Sequence, residues 1–150
     1  MRAEIIDSGN PRVAAARIII NAPANKLFDF IANPKNHPKI DGSKMVRGKA
    51  YGPKRLSINS WFVMRQLRFG KIPYVMPNKV VEFEEGKLIA WRNASPSRWR
   101  YEFVAQSDGT TQVTQYLDCS QTPSKLAKSE LSWAAKAMAK TLVRFKENIE

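Results

Sequence analysis

The C-terminal segment constrains the fold most. Leu131, Ala134, Met138, Leu142, Phe145 and Ile149 recur at i, i+3, i+7, i+11, i+14 and i+18. At about 100° per residue they fall in a stripe roughly 80° wide. The spacing predicts one long helix over residues 124–148, with Pro123 just ahead of it. A helix so apolar along one side must cover a large apolar partner rather than stand in water.

The rest of the chain supplies that partner as strands. Residues 13–20 (VAAARIII) form a short β-rich run that Asn21-Ala22-Pro23 ends. Proline at a first helical position loses no needed donor, so a helix is predicted from Ala24 to Ala32, burying Leu27, Phe30 and Ile31. Pro34 stops it, and Asn33-Pro34 with His37-Pro38 brackets a turn or a very short second helix. Strands are then expected at 43–48, 60–69, 78–84, 87–93, 98–105 and 110–119, with 70–77 as a connection. Glu85-Gly86 and Asp108-Gly109 read as tight turns. In the string WRYEF, period-two alternation puts Trp99, Tyr101 and Phe103 on one face. The expected architecture is α+β: a curved antiparallel sheet of about seven strands wrapped around the C-terminal helix, with one or two short helices after the first strand. At 150 residues this is one domain spanning 1–150. A helix laid in the hollow of a curled sheet leaves space that side chains need not fill.

The chain carries a net charge of +12. Ten bases (Lys35, Lys39, Lys44, Arg47, Lys49, Lys54, Arg55, Arg65, Arg68 and Lys71) lie in one stretch with Asp41 as its only acid. This stretch reads either as a solvated surface or as a site for an anionic partner or a membrane surface. No nucleic-acid-binding motif accompanies the charge, so nucleic acid is not an expected partner. Cys119 is the only cysteine, which excludes an intrachain disulfide and suits a reducing compartment. No run approaches the ~20 apolar residues of a membrane span, and the first twelve residues lack a signal-peptide core. A cytoplasmic location is the expectation.

Chemistry-bearing patterns are sparse. One histidine and one cysteine, without clustered carboxylates at ligand spacing, give no metal site, and the scattered glycines form no phosphate loop. His37 reads as a surface turn residue, Cys119 as a buried inert thiol, and Glu82, Glu84 and Glu85 as a solvated strand edge. Trp133 falls off the buried stripe, near Lys136, Lys140 and Arg144. It either anchors an interface or packs under a neighbouring loop.

In order and spacing, several strings resemble the START-related, polyketide cyclase/dehydrase-like superfamily (SRPBCC, or helix-grip). They are IIINAP at 18–23 running into KLFDFIA, Asn33-Pro34, His37-Pro38 with Asp41-Gly42, and Pro73-Tyr74. NKVVEFEEGKLIAW at 78–91, WRYEF at 99–103 and TTQVTQYLD at 110–118 complete the set, and the resemblance runs from about Val13 to Ile149. It implies a deep cavity under the last helix for a hydrophobic small molecule such as a lipid, polyketide or isoprenoid. It carries over no catalytic residue and implies no cofactor. Candidate ligand contacts are Phe62, Met64, Tyr74, Trp91, Trp99, Tyr101, Phe103, Met138 and Leu142, for each of which core packing is the alternative. The expected role is binding or transport. The alternative is a polyketide cyclase or dehydratase using polar groups such as Tyr74, Arg65 or His37 in the same cavity. Oligomeric state is not legible.

Overall fold

A computed structural model describes residues 3–42, 46–68, 71–93 and 95–150. The strands are β1 (Glu4–Asp7), β2 (Val13–Ile20), β3 (Val46–Tyr51), β4 (Trp61–Arg68), β5 (Ile72–Glu84), β6 (Leu88–Arg92), β7 (Arg98–Ala105) and β8 (Thr111–Asp118). The helices are α1 (Ala24–Ala32), α2 (His37–Ile40) and α3 (Ser124–Ile149), with a 3₁₀ turn at Pro34–Asn36. All eight strands form one antiparallel sheet in the order β1-β2-β8-β7-β6-β5-β4-β3. From β3 to β8 each strand pairs with its chain neighbour, and β2 closes onto β8 with Ile18 opposite Val113. This is the α+β helix-grip architecture.

Two elements depart from the pattern in the sequence. β1 was not expected: only Ile5 and Ile6 break its polarity, and pairing with Ala14–Arg17 of β2 makes it a strand. The connection expected at 70–77 is instead the first half of β5, which begins at Ile72. Pro73 and Pro77 obscured it. Over that half β5 pairs only with β4, because β6 joins no earlier than Lys79. Proline is tolerated there because the open side needs no ladder bond. The strand expected at 43–48 runs from Val46 to Tyr51, while 43–45, Phe69 and Gly70 lie outside the described residues. Gly109, at φ +86°, turns β7 into β8 as its Asp-Gly pair requires.

α1 buries Leu27, Phe28, Ile31 and Ala32 against the sheet. Phe28, absent from the expected stripe, meets Phe83 and Phe103 edge-on at 5.4 and 5.7 Å between ring centroids. Phe30 is only half-buried and stacks on Phe145 of α3 at 5.2 Å. Of the three glutamates read as a solvated strand edge, Glu84 and Glu85 are exposed, Glu85 meeting Arg55, whereas Glu82 is half-buried and accepts from both Arg98 and Arg100. Burial pushes the Glu82 carboxyl up, but the two guanidiniums outweigh it and hold it below the usual range.

Candidate functional site

α3 is docked unevenly along its length. Its C-terminal half is fixed by Leu142 and Phe145, both fully buried. Lys146 Nζ also donates to Ile19 O (3.1 Å) and Arg144 Nη1 to Asp41 O (2.7 Å). At Gly42 the loop after α2 touches the helix backbone. A Cβ there would lie 2.5 Å from Lys140 Cβ and 2.6 Å from Thr141 N, and the bare Gly42 N–H donates to Thr141 Oγ1 at 2.9 Å. Toward its N-terminus α3 stands away from the sheet and roofs a cavity of about 380 Å³, within the range of small-molecule sites.

The wall is built by strand alternation. Met64 and Gln66 of β4, Tyr74, Met76 and Asn78 of β5, Trp91 of β6, Trp99 and Tyr101 of β7 and Gln115 of β8 face inward. Leu126, Glu130, Trp133, Ala137, Met138 and Thr141 descend from α3, and His37, Ile40 and Asp41 of α2 and its C-terminus close one end.

Six of the nine candidate contacts therefore lie on the wall: Met64, Tyr74, Trp91, Trp99, Tyr101 and Met138. The other three form the layer behind it. Phe62 sits edge-on to His37 and Trp91 at 5.3 and 5.4 Å, Phe103 packs against Phe28, and Leu142 belongs to the docked half of α3. Trp133, half-buried, lines the cavity beside Trp99, with ring centroids 6.1 Å apart.

The helical wheel explains why Trp133 was not read as a wall residue. Leu126, Glu130, Trp133, Ala137 and Thr141 form a second stripe centred roughly 90° from the one containing Ala127, Ala134, Leu142 and Phe145. Met138 falls within the apolar stripe, roughly 100° from the centre of the second group, and still reaches the cavity. The strongly apolar stripe marks the dry core, and the mixed stripe beside it marks the cavity.

His37 is not a surface residue. It is 6% exposed and stacks on Trp91 at 4.9 Å. Its Nε2 donates to Ile31 O at 2.7 Å, and Nδ1 is buried without a partner. Burial lowers the imidazole pKa to about 4, although the Ile31 bond and the Asp41 charge act the other way. The ring is therefore neutral at neutral pH, with its proton on Nε2. Tyr101 is held above the usual phenol range, first by burial and then by Asp41. Elsewhere on the wall Tyr74 Oη donates to Gln66 Oε1 (2.6 Å), and Ser95 and Ser97 both donate to Glu130 Oε1 (2.9 and 3.0 Å). Arg65 alternates to the opposite face of β4 and is exposed. Cys119 is buried outside the cavity beside Ser97, its thiol pushed up by burial. Among the described residues no three His, Cys, Asp or Glu side chains gather as a metal site. Nor is any helix among them long and apolar enough to cross a membrane.

Comparison with known proteins agrees with this geometry. Residues 12–150 match the sequence profile of the family described as polyketide cyclase / dehydrase and lipid transport. The Mycobacterium tuberculosis protein Rv0088 is 34% identical over 118 residues, covering 79% of this chain and 52% of its own length. The chain thus spans about half the length of the curated relatives it matches. Among solved structures, protein NE0264 from Nitrosomonas europaea superposes with a TM-score of 0.74 at 16% identity, covering 95% of both chains. Protein Ms6760 from Mycobacterium smegmatis does so with a TM-score of 0.73 at 12% identity, covering 97% of this chain and 96% of that one. At these identities the likeness is one of fold.

Proposed function

The chain belongs to the polyketide cyclase/dehydrase and lipid transport family, and on that footing we propose that it binds and carries a hydrophobic small molecule between α3 and strands β4–β8. One observation carries the reading. Trp91, Trp99, Tyr101, Trp133, Met64 and Met138 converge on a 380 Å³ space that no side chain fills. A cavity walled by aromatic rings and methionines and large enough for several rings suits a hydrophobic guest. The test plugs the cavity. Ala137 is the small residue of the roof, so Ala137→Phe should abolish uptake of the neutral fluorophore N-phenyl-1-naphthylamine while leaving the far-ultraviolet circular dichroism unchanged. Wild-type protein that fails to take up the dye overturns the reading.

A cyclase or dehydratase working in the same cavity is the second reading, favoured by the meeting of His37, Asp41 and Tyr101 at its closed end. Burial holds His37 to a pKa of about 4, which makes it a weak general base at neutral pH and supports carriage over catalysis through that residue. Carriage needs no such group.

The same proposal includes an anionic membrane surface as donor or acceptor of the guest. It is supported by the outer face of β3–β5, where Tyr51, Trp61 and Val75 are exposed beside Arg65 and Lys79 Nζ lies 5.8 Å from the Trp61 ring centre. Aromatic side chains interleaved with cations suit a headgroup layer. Cosedimentation with phosphatidylserine vesicles should fall steeply with added salt and with Trp61→Ser. Binding insensitive to both, or none, removes this contact from the proposal. A cytoplasmic setting, consistent with the unpaired Cys119 thiol, completes the reading.

A further inference from the structure

We propose that the guest carries a protonated amine, received on the α3 side of the cavity by Glu130 and the paired rings of Trp99 and Trp133. The inference rests on the cavity-binding reading above and adds the charge of what is bound.

The sign of charge inside the cavity is opposite to that of the protein. The chain has 25 lysines and arginines against 13 aspartates and glutamates. Even so, the only charged side chains among the described lining residues are Asp41 and Glu130. A carboxylate withdrawn from water needs hydrogen bonds or a cation in its place. Glu130 accepts two bonds, from Ser95 and Ser97, and both fall on Oε1. Among the described residues nothing bonds Oε2, and no lysine or arginine pairs with this carboxylate.

The helix sequence keeps internal cations away from it. α3 carries six lysines and arginines. A helical lysine reaches a glutamate from three or four residues away. Those positions around Glu130 hold Leu126, Ala127, Trp133 and Ala134 instead. The free oxygen is therefore left for a cation that arrives from outside the chain.

Two indoles complete the site. Trp133, one turn on from Glu130, meets Trp99 at 6.1 Å between centroids and 34° between planes. Both rings and Glu130 line the cavity and are half-buried, so all three are open to a guest. Ser97, which donates to Glu130, lies two residues before Trp99 and ties β7 to the same patch. Aromatic faces attract cations, tryptophan most strongly. An alkylammonium can donate to Oε2 while its carbons lie on the indoles. A phosphate or carboxylate guest would meet Glu130 with no cation to replace its water.

The experiment compares three probes of similar shape on the intact chain by calorimetry at neutral pH. They are 1-naphthylmethylamine, which is protonated there, 1-ethylnaphthalene, in which carbon replaces the nitrogen, and 1-naphthylacetate. The long-range field of a protein with net charge +12 favours the anion. A preference for the amine therefore reports the local carboxylate. The expected result is the amine at least about tenfold tighter than 1-naphthylacetate. Glu130→Gln keeps an oxygen for Ser95 and Ser97 but removes the charge. It should weaken the amine about tenfold or more and leave 1-ethylnaphthalene unchanged, whereas a Glu130 that only ties the loop to α3 would move both probes alike or neither. Trp133→Leu should cost the amine severalfold more than it costs 1-ethylnaphthalene. Binding of 1-ethylnaphthalene without the amine, 1-naphthylacetate binding tighter than the amine, or either variant treating amine and hydrocarbon alike overturns the inference and leaves the cavity reading intact. If none of the three probes binds, the cavity reading falls and this inference falls with it.

Discussion

Substituting Gly42 tests whether the docked half of α3 rests on backbone contact. In Gly42→Ala the new Cβ would lie 2.5 Å from Lys140 Cβ, 2.6 Å from Thr141 N and 2.8 Å from Ala137 O. Two of those three atoms belong to the helix backbone and cannot rotate away. Ordinary contact begins at 3.4 Å, so the helix and the loop must separate by about 0.9 Å. That movement stretches the 2.9 Å bond from Gly42 N to Thr141 Oγ1 beyond hydrogen-bonding range and strains the neighbouring Arg144–Asp41 O bond. Overpacking costs about 1–3 kcal/mol and the lost buried bond about 1 kcal/mol. The expected destabilisation is therefore about 2–4 kcal/mol. At roughly 2–4 °C per kcal/mol for a chain of this size, the melting temperature should fall by about 5–15 °C. Urea unfolding followed by tryptophan fluorescence and by circular dichroism measures it. Because the displaced segment roofs the cavity, dye affinity should change in the same variant. A Gly42→Ala protein within 0.5 kcal/mol of wild type, with unaltered dye binding, would refute the close-approach argument.

Other outcomes follow from the same structure. His37, neutral with a folded pKa of about 4 against about 6.5 unfolded, contributes stability that is fully present above pH 6.5 and is lost as pH falls toward 4. The loss is worth about 3 kcal/mol in all, and an imidazole that titrates near 6.5 in the folded protein by NMR would contradict it. Phe145→Ala removes a fully buried ring stacked on Phe30 and should cost about 3–5 kcal/mol in chemical denaturation. Trp133→Ala, by contrast, touches the half-buried cavity stripe and should change stability by less than about 1 kcal/mol. It should weaken N-phenyl-1-naphthylamine binding at least severalfold in a fluorescence titration.

Much of the fold was legible because its elements have strong local periods. VAAARIII is a continuous β-rich run, WRYEF and the stripe from Leu131 to Ile149 each point to one face, and the structure makes strands of the first two and a helix of the third. What escaped was set by tertiary pairing. β1 exists because β2 offers an edge, and the first half of β5 because β4 lies alongside it despite Pro73 and Pro77. The candidate site was legible in the same uneven way. Aromatic or sulfur-bearing character marked Met64, Tyr74, Trp91, Trp99 and Tyr101, and parity put Trp99 and Tyr101 on one face with Phe103, but neither signal separates the cavity wall from the packed layer that holds Phe62 and Phe103. His37 was misread because a proline-bracketed turn ordinarily lies at the surface, whereas here α2 is pressed between the sheet and α3. Its burial follows from contacts made by residues far away in the chain, Trp91 above all.

The two stripes of α3, a quarter-turn apart, separate the lining of the cavity from the seam that fixes the helix. Residues such as Leu126, Trp133 and Ala137 can drift in size and polarity without disturbing the seam that Ala134, Leu142 and Phe145 form with the sheet. Substitutions that reshape the cavity can therefore accumulate without loosening the packed seam, so the lining is free to diversify on one scaffold.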